Sequence, residues 1–289
     1  MELVRHQTAE TLLAAAGEYL VDREAEHNLT LGILGTLRDE PDVYPEPPYL
    51  ATVSEADRIV LVVVQTPPHG PVLSEPGVPG ERVPEAIELV VADLRAASPA
   101  LPTVLGPRPA IEPFVARWSM LTGRPAHLEM AERIYRLSAV VPPRSPGGGW
   151  RLAEERDRDL LRDWVIAFQE EALPAGSPSV GTDAVIERWV RHADRFAYLW
   201  DAGGRPVSLV VAGSRTPNGR RIGPVYTPPA QRGRGYAGAL TAAASQDQLD
   251  RGAAFCFLFT DLANPTSNAI YRRIGYEPVT DVDQYRFGP

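Results

Sequence analysis

The chain has 289 residues and a formal net charge of −8, with 44% hydrophobic and 23% charged residues. This balance is typical of a globular chain with one large domain or two ordinary ones, and it excludes a fibrous or disordered protein. All 29 basic residues are arginine, so a lysine Schiff base, a P-loop lysine and a lysine general base are excluded.

The same numbers argue against several kinds of partner. A net negative chain lacks the clustered cations that nucleic-acid binding requires. The five histidines are scattered without the spacing of a zinc site, and the single cysteine, Cys256, lies in an apolar run where a buried thiol is ordinary. No stretch approaches the ~20 apolar residues of a membrane span. We therefore expect a cytoplasmic protein without a metal, a nucleic-acid partner or a membrane contact.

The first half of the chain carries alternating helix and strand patterns. Apolar spacing predicts helices over 8–19, 24–37, 84–97 and 109–121, and strands over 49–53, 59–65, 102–106 and 133–140. The segment 141–149 then contains three prolines and three glycines, which neither a helix nor a central strand accommodates. We predict an N-terminal domain at 1–140, a linker at 141–149 and a second domain at 150–289.

The second half has the clearer pattern. The predicted strands cover 150–153, 196–200, 207–212, 222–227, 254–260 and 277–287, and the predicted helices cover 154–171, 182–192, 235–250 and 265–274. This order indicates a mixed α/β sheet covered by helices. The first half has a vaguer version of the same order, which suggests two tandem copies of one fold, although the two sequences do not visibly repeat.

The strongest chemical signal is a glycine-rich loop between the strand 222–227 and the helix 235–250. The run 228–240 reads Pro-Pro-Ala-Gln-Arg-Gly-Arg-Gly-Tyr-Ala-Gly-Ala-Leu. Glycines let backbone N–H groups approach a ligand closely, the helix N-terminus adds partial positive charge, and Arg232 and Arg234 add cations. These features favour a pyrophosphate ligand, and a sharp turn with surface arginines is the alternative.

One candidate ligand for this loop is a nicotinamide dinucleotide. Gly233, Gly235 and Gly238 spell G-x-G-x-x-G, and Asp261 follows at the end of the next strand, as a dinucleotide-binding unit requires. Too few residues follow Asp261 to complete a doubly wound sheet, and this half contains no second parallel β-α-β unit. We therefore disfavour this ligand.

A different interpretation, based on two motifs, accounts for more of the chain. The run 232–237, R-x-x-G-x-A, resembles the Q/R-x-x-G-x-G/A signature of the GNAT superfamily of acyl-CoA-dependent N-acetyltransferases. The run 264–276 begins with an asparagine and ends in Y-x-x-x-G-Y, which is similar to that family's second signature. The resemblance covers about 150–289 and implies a mixed, mainly antiparallel GNAT-type sheet flanked by helices, preceded by a degenerate copy of the fold that has no glycine-rich loop.

The resemblance also implies acetyl-CoA as co-substrate and assigns residues to it. Loop amides would hold the pyrophosphate, the preceding strand would pair with the pantetheine arm, and an asparagine would contact that arm. The residues so implied are Val225, Tyr226, Thr227, Arg232, Gly233, Arg234, Gly235, Tyr236, Ala237, Asn264 and Asn268.

Tyr271 matches the family position whose hydroxyl protonates the departing thiolate. Such a group is needed because coenzyme A leaves as an anion unless a proton or hydrogen bond meets it. An aromatic side chain packed on the sheet is the alternative interpretation. For the general base, Glu170, Glu171 and Asp261 are candidates, although solvated helix-end charges are the ordinary meaning of the two glutamates.

The implied activity is transfer of an acetyl group to a primary amine of a small molecule or peptide. The alternative function is a non-catalytic acyl-CoA-binding or sensing module. Because the N-terminal half lacks the loop, we expect it to shape the acceptor pocket, to form a homodimer or to bind a regulatory ligand.

Overall fold

A computed structural model describes residues 1–172, 182–191 and 195–288 of the chain. Contacts between residues divide it into two compact units, which we call the first unit, Met1–Arg133 with the segment from Thr280 on, and the second unit, Ile134–Val279. These units have other bounds than the domains predicted from the sequence. The predicted linker, 141–149, lies within the second unit by this measure.

The helices and strands alternate along the whole chain. In chain order they are β1 (Glu2–Arg5), α1 (Ala9–Asp22), α2 (Asn28–Asp39), β2 (Tyr49–Glu55), β3 (Arg58–Gln65), β4 (Val72–Leu73), α3 (Val83–Ala97), β5 (Thr103–Pro107), α4 (Arg108–Thr122) and β6 (Ala126–Leu137). They continue with β7 (Gly149–Leu152), α5 (Arg158–Ala172), α6 (Thr182–Arg191), β8 (Phe196–Ala202), β9 (Arg205–Arg215), β10 (Gly219–Tyr226), α7 (Tyr236–Asp250), β11 (Phe255–Asp261), α8 (Pro265–Arg273) and β12 (Glu277–Phe287).

The two units share one strand layout. In the first unit the strands follow the order β1-β2-β3-β4-β5-β12, with antiparallel neighbours except for the parallel pair β4 and β5. In the second unit the order is β7-β8-β9-β10-β11-β6, antiparallel from β7 to β10 and parallel between β10 and β11. Each layout carries two helices after its first strand and two more around its parallel pair. The predicted mixed α/β class, mainly antiparallel and flanked by helices, is confirmed.

The strand beside β5 in the first unit comes from the C-terminal end of the sequence, and the strand beside β11 in the second unit is the end of β6, from Ile134 on. Residues 282–286 of β12 pair with residues 103–107 of β5 in the first unit, whereas β6 lies beside β11 in the second. We predicted 277–287 as a strand of the C-terminal copy, whereas the contacts between residues count β12 from Thr280 on with the first unit. Strand periodicity determines which side chains face the core, but it does not determine which strand is the neighbour.

In the second unit, helices cover both faces of the sheet. Alternate residues of β8 divide between the faces, with Ala197 and Leu199 packed against α5 and α6 and with Tyr198 and Trp200 packed on the side of α7 and α8. This is the two-residue period of a strand buried on both sides. The first unit is built alike, with α1 and α2 on one face and α3 and α4 on the other.

Most element bounds agree with the sequence prediction to within a few residues. Strands β1 and β4 were not predicted, and β6 begins at Ala126 rather than at 133. The helix predicted over 182–192 is described as Thr182–Arg191, and His192 lies outside the described residues. A search of the described helices finds none with the length and apolar character needed to cross a membrane.

Candidate functional site

The glycine-rich loop joins β10 to α7 through a short 3-10 turn at Pro229–Gln231. Gly233 has φ +75° and Gly235, the N-cap of α7, has φ +85°. Residues with a Cβ rarely adopt this left-handed backbone conformation, whereas glycine adopts it without a steric penalty. The loop therefore needs these glycines for its backbone conformation.

The N-terminus of α7 has free backbone donors. Gly235 provides no side-chain cap, and the first helical hydrogen bond runs from the Ala239 N–H to the Gly235 carbonyl at 3.0 Å. The N–H groups of Tyr236, Ala237 and Gly238 therefore have no partner within the helix. Together with the helix dipole, such N–H groups form a binding site for phosphate oxygens.

Strands β10 and β11 pair only at their beginnings. Their register joins Gly219, Arg220 and Arg221 to residues 255–257, and within the described residues no further pair follows. The stretch from Ile222 to Tyr226 is bonded to β9 on its other side, with irregular register at its middle. At ~3.3 Å per residue, about 16 Å of strand edge faces the gap. An extended ligand with amide groups could add to this edge as a strand does.

The end of β10 is fixed by a buried hydroxyl. The Ser208 hydroxyl, on β9 and fully buried, donates to the Tyr226 carbonyl at 3.2 Å and lies 2.8 Å from the Thr227 Oγ1. Val225 and Tyr226 pair with Val210 and Leu209. Sequence reasoning missed Ser208, because a serine within an apolar strand carries no motif.

The two loop arginines have different surroundings. The Arg232 guanidinium donates to the Thr227 carbonyl at 2.8 Å and forms an ion pair with Glu171 at 2.5 Å. The same carboxylate accepts a 3.5 Å hydrogen bond from the Tyr226 hydroxyl, and burial together with this charge raises the pKa of Tyr226. Arg234 is exposed and makes a single 3.4 Å hydrogen bond, to the Ala230 carbonyl. Arg234 is therefore the more available cation of the two.

Tyr271 lies on α8 with its side chain 8% exposed, in the same apolar cluster as Val225 and Tyr236. Its ring meets that of Tyr276 edge to face at 6.0 Å between centroids. Within the described part of the chain the Tyr271 hydroxyl makes no hydrogen bond, and it is not one of the fully buried polar atoms. Burial raises the pKa of Tyr271 to about 12, so the phenol keeps its proton at neutral pH.

The two candidate asparagines carry structural hydrogen bonds. Asn264 is the N-cap of α8, where its Oδ1 accepts from the Ser267 N–H at 3.0 Å. The Asn268 amide donates to the carbonyls of Asp261 and Asn264, each at 2.8 Å, and its Oδ1 accepts from the Tyr135 hydroxyl at 3.0 Å. Asn268 thus joins β11, α8 and β6. Contact of either asparagine with a ligand stays a prediction.

The candidate bases lie at the ends of elements. Glu170 is exposed near the end of α5, and its neighbour Glu171 is held by Arg232. Asp261, at the end of β11, accepts from the Ala263 N–H at 2.8 Å through its carboxylate. The carboxylates of Glu171 and Asp261 are thus each already engaged with a neighbouring part of the chain.

The corresponding position of the first unit lacks these features. There β4 has two residues, and α3 begins with Pro84 in its first turn and with Glu85 close by. A proline has no N–H to donate, and a carboxylate repels a phosphate at a helix N-terminus. The features that suit a phosphate ligand therefore belong to the second unit.

The second unit combines three features. It has a free strand edge, an uncapped helix N-terminus behind a left-handed glycine loop, and a buried phenol that keeps its proton. The described residues contain no group of three or more histidine, cysteine, aspartate or glutamate side chains that could hold a metal ion. A strand, a left-handed glycine loop and an uncapped helix N-terminus in this order form an arrangement that suits phosphate oxygens.

Comparison with protein families identifies this domain more closely. Residues 158–276 match the model of the acetyltransferase (GNAT) family, and the chain therefore contains a GNAT domain. The matched range includes the loop, β11 and Tyr271. A search of curated proteins finds no match.

Solved structures share the fold along the whole chain. A tandem GNAT protein from the clavulanic acid biosynthesis pathway is 17% identical, with a TM-score of 0.53 over 100% of this chain and 99% of that one. A GCN5-related N-acetyltransferase from Sphaerobacter thermophilus is 17% identical, with a TM-score of 0.57 over 98% and 95%. A Drosophila protein is 14% identical, with a TM-score of 0.71 over 99% and 98%. At these identities the likeness concerns the fold, and it confirms that the N-terminal part also resembles a GNAT domain.

Proposed function

We propose that the chain transfers an acetyl group from acetyl-CoA to the primary amine of a small molecule or peptide. The observation that carries this proposal is the free edge of β10, which leads directly into the uncapped N-terminus of α7. A linear ligand with amides at one end and a pyrophosphate at the other would match both features in sequence.

The chain's own residues have separable tasks in this proposal. Main-chain groups of Val225, Tyr226 and Thr227 bind the amide-bearing arm. The N–H groups from Gly233 to Ala237 bind the pyrophosphate, with Arg234 as the added cation. The thioester supplies an acyl group that the amine attacks directly. Ser208 keeps the end of β10 in place through the Tyr226 carbonyl.

Tyr271 meets the departing sulfur. Its pKa of about 12 leaves the phenol protonated at the pH of the reaction, and its hydroxyl makes no hydrogen bond to the described residues that would compete. A free thiol has a pKa of about 8.5. Because the phenol is the weaker acid, it keeps its proton and stabilises the departing thiolate by a donated hydrogen bond; as the carbon–sulfur bond breaks, the thiolate takes up, through solvent, the proton that the amine loses.

The test is release of free thiol from acetyl-CoA with a panel of primary amines, comparing the wild-type chain with Tyr271→Phe. Loss of the hydroxyl removes a donor used in the transition state, so we expect kcat to fall about 10²- to 10⁴-fold. The dissociation constant for coenzyme A should change less than twofold. Tyr285→Phe, in β12, is the matched control and should leave both values unchanged.

Two outcomes would contradict the proposed enzymatic mechanism. Full activity of Tyr271→Phe would show that the phenol takes no part in the reaction. Tight binding of acetyl-CoA without turnover of any amine would favour the alternative function, a non-catalytic acyl-CoA sensor. Absence of binding would exclude both functions, and Arg232→Glu tests whether the loop is the binding site.

A further inference from the structure

His27 is a buried histidine of the first unit that the proposed function leaves unused. It is the N-cap of α2 and is 2% exposed. Its Nδ1 lies 3.0 Å from the carbonyl oxygen of Leu20, near the end of α1, and its Nε2 accepts a hydrogen bond of 3.2 Å from the backbone N–H of Glu75, which follows β4. One imidazole ring therefore joins the α1–α2 connection to the segment after a strand.

The two partners fix the protonation state of this ring. A carbonyl oxygen can only accept a hydrogen bond, so the Nδ1 atom of His27 carries a hydrogen. A backbone N–H can only donate, so the Nε2 atom keeps its lone pair. Only the neutral ring with its hydrogen on Nδ1 satisfies both partners. A second proton would place an N–H at Nε2, directly against the Glu75 N–H, and the hydrogen bond between the two residues would be lost.

The neighbouring phenol cannot stabilise a charged imidazole. Tyr19 stacks on the His27 ring with 5.4 Å between the ring centroids, and its hydroxyl donates to the Glu75 carbonyl. Burial raises the pKa of Tyr19 to about 12, so this phenol stays neutral in acid. The charged side chains around the ring are those of Arg23, Glu24, Glu26 and Glu75.

These charges do not offset the cost of burying an imidazolium. Glu26 favours the charged ring and Arg23 opposes it. The Glu75 Oε2 atom is buried and has no hydrogen-bond partner among the described residues, and burial raises the pKa of this carboxyl, so its charge fades as the pH falls. Burial therefore has the largest effect, and it lowers the pKa of His27 below its ordinary value of 6.5.

We propose that His27 is an acid-sensitive latch, which holds the α1–α2 connection against the segment after β4 while the ring is neutral and releases it when the ring takes up a proton. Release is local, because leucines of α1 and α2 pack on β2 and β3 without involving the imidazole. The segments that loosen are 23–27 and 74–77, which we call the latch segments. The latch gives the first unit, which has no glycine-rich loop, a response to acid.

The direction of the pKa shift sets the pH range. In the released state His27 is exposed to water and titrates near 6.5, whereas in the closed latch its pKa is lower. The released state therefore binds more protons as the pH falls below 6.5. The closed latch has its full stability above this pH and loses stability below it.

The test is amide hydrogen exchange of the full chain at about pH 7.5 and about pH 5, with each rate divided by the intrinsic rate at that pH. The latch segment 74–77 contains suitable reporters, since the N–H groups of Ser74 and Gly77 donate to the carbonyls of Val62 and Val60 in β3. Loss of one buried hydrogen bond corresponds to about a tenfold change in an opening equilibrium. We expect the protection of the latch segments to fall on the order of tenfold at the lower pH, while that of α7 changes less than twofold.

Three variants identify the group that titrates. His27→Gln cannot take up a proton, but its amide can donate to the Leu20 carbonyl and accept from the Glu75 N–H, so its protection should change less than twofold between the two pH values. His6→Gln is the matched control, because His6 is a half-buried histidine of the same unit whose Nε2 lies 2.9 Å from the Thr52 hydroxyl. A hydroxyl can donate or accept, so this variant should keep the tenfold fall. Glu75→Gln leaves the backbone N–H in place and should also keep it.

Equal protection of the wild-type latch segments at both pH values overturns the inference. A full acid-induced fall in His27→Gln also overturns it, as does the absence of a fall in Glu75→Gln, which would assign the titration to the carboxyl. If His27→Gln does not fold, His27→Phe retains a ring against Tyr19 without either hydrogen bond. It should show low protection at both pH values, and wild-type protection at pH 7.5 would contradict the latch. None of these measurements involves acyl transfer, so their outcomes leave the proposed function unaffected.

Discussion

Replacing Gly235 by alanine tests whether the loop depends on its left-handed backbone. At φ +85° an added Cβ would lie 3.7 Å from the Pro146 Cβ, which is ordinary van der Waals contact, so the cost comes from the backbone and not from a clash. A left-handed residue with a Cβ costs about 1–2 kcal/mol, and the stiffer unfolded chain returns about 0.4–1 kcal/mol. We therefore expect Gly235→Ala to lower the free energy of unfolding by roughly 1 kcal/mol.

The assay is urea unfolding followed by tryptophan fluorescence, since four of the five tryptophans lie in the second unit. Coenzyme A affinity is measured on the same samples by calorimetry. If the loop relaxes to avoid the strain, its N–H groups turn away and affinity should fall about tenfold, equivalent to ~1.4 kcal/mol. Gly233→Ala, at φ +75° in open space, should behave alike.

Gly149→Ala provides the matched control. Gly149 has no positive φ and nothing within 4 Å of an added Cβ, so this change should stabilise the chain by about 0.4–1 kcal/mol. The reasoning is refuted if Gly235→Ala unfolds at the wild-type urea midpoint and binds coenzyme A with unchanged affinity.

Two further expectations concern residues around the site. Asn268→Ala removes three hydrogen bonds and should lower the free energy of unfolding by about 2–3 kcal/mol. Asn264→Ala removes one helix cap and should lower it by about 1 kcal/mol. Equal urea midpoints for the two variants would contradict the greater structural role of Asn268. Burial raises the pKa of Cys256 to about 12 from 9.0, so the unfolded state ionises first and stability should fall as the pH rises from 9 to 12. Cys256→Ala should reduce that decline in alkaline urea titrations, and rapid labelling of the native thiol at pH 8 would contradict the burial.

Most helices and strands of the second unit could be predicted from the sequence, because the periodicity of their apolar residues is clear. The helix predicted over 235–250 is α7, Tyr236–Asp250, since glycines end the loop and a long apolar run begins there. The early part of β6 was missed for the opposite reason: residues 126–132 are mostly half-buried or exposed, so they lack the alternation that indicates a strand. In β4, two residues are too few to show a period.

The motifs of the candidate site could be read from the sequence, but the contacts that support it could not. The loop, Tyr271 and the preceding strand are contiguous patterns, so sequence spacing finds them. Ser208 lies on a neighbouring strand, and the Tyr135 hydroxyl contacts Asn268 from 133 positions away along the chain. Only the folded chain brings such residues together, and only hydrogen bonds reveal that the Asn268 amide is already occupied.

The pairing of β12 with β5 determines when the first unit can complete its folding during synthesis. A ribosome completes the second unit's residues, 134–279, before it synthesises the strand that the first unit needs at 280–287. Until then β5 presents an open edge on that side, which invites pairing with other chains. The N-terminal unit therefore cannot finish folding first, as nascent domains ordinarily do. The first unit thus becomes complete only when the end of β12 has left the ribosome, after all residues of the second unit have been made.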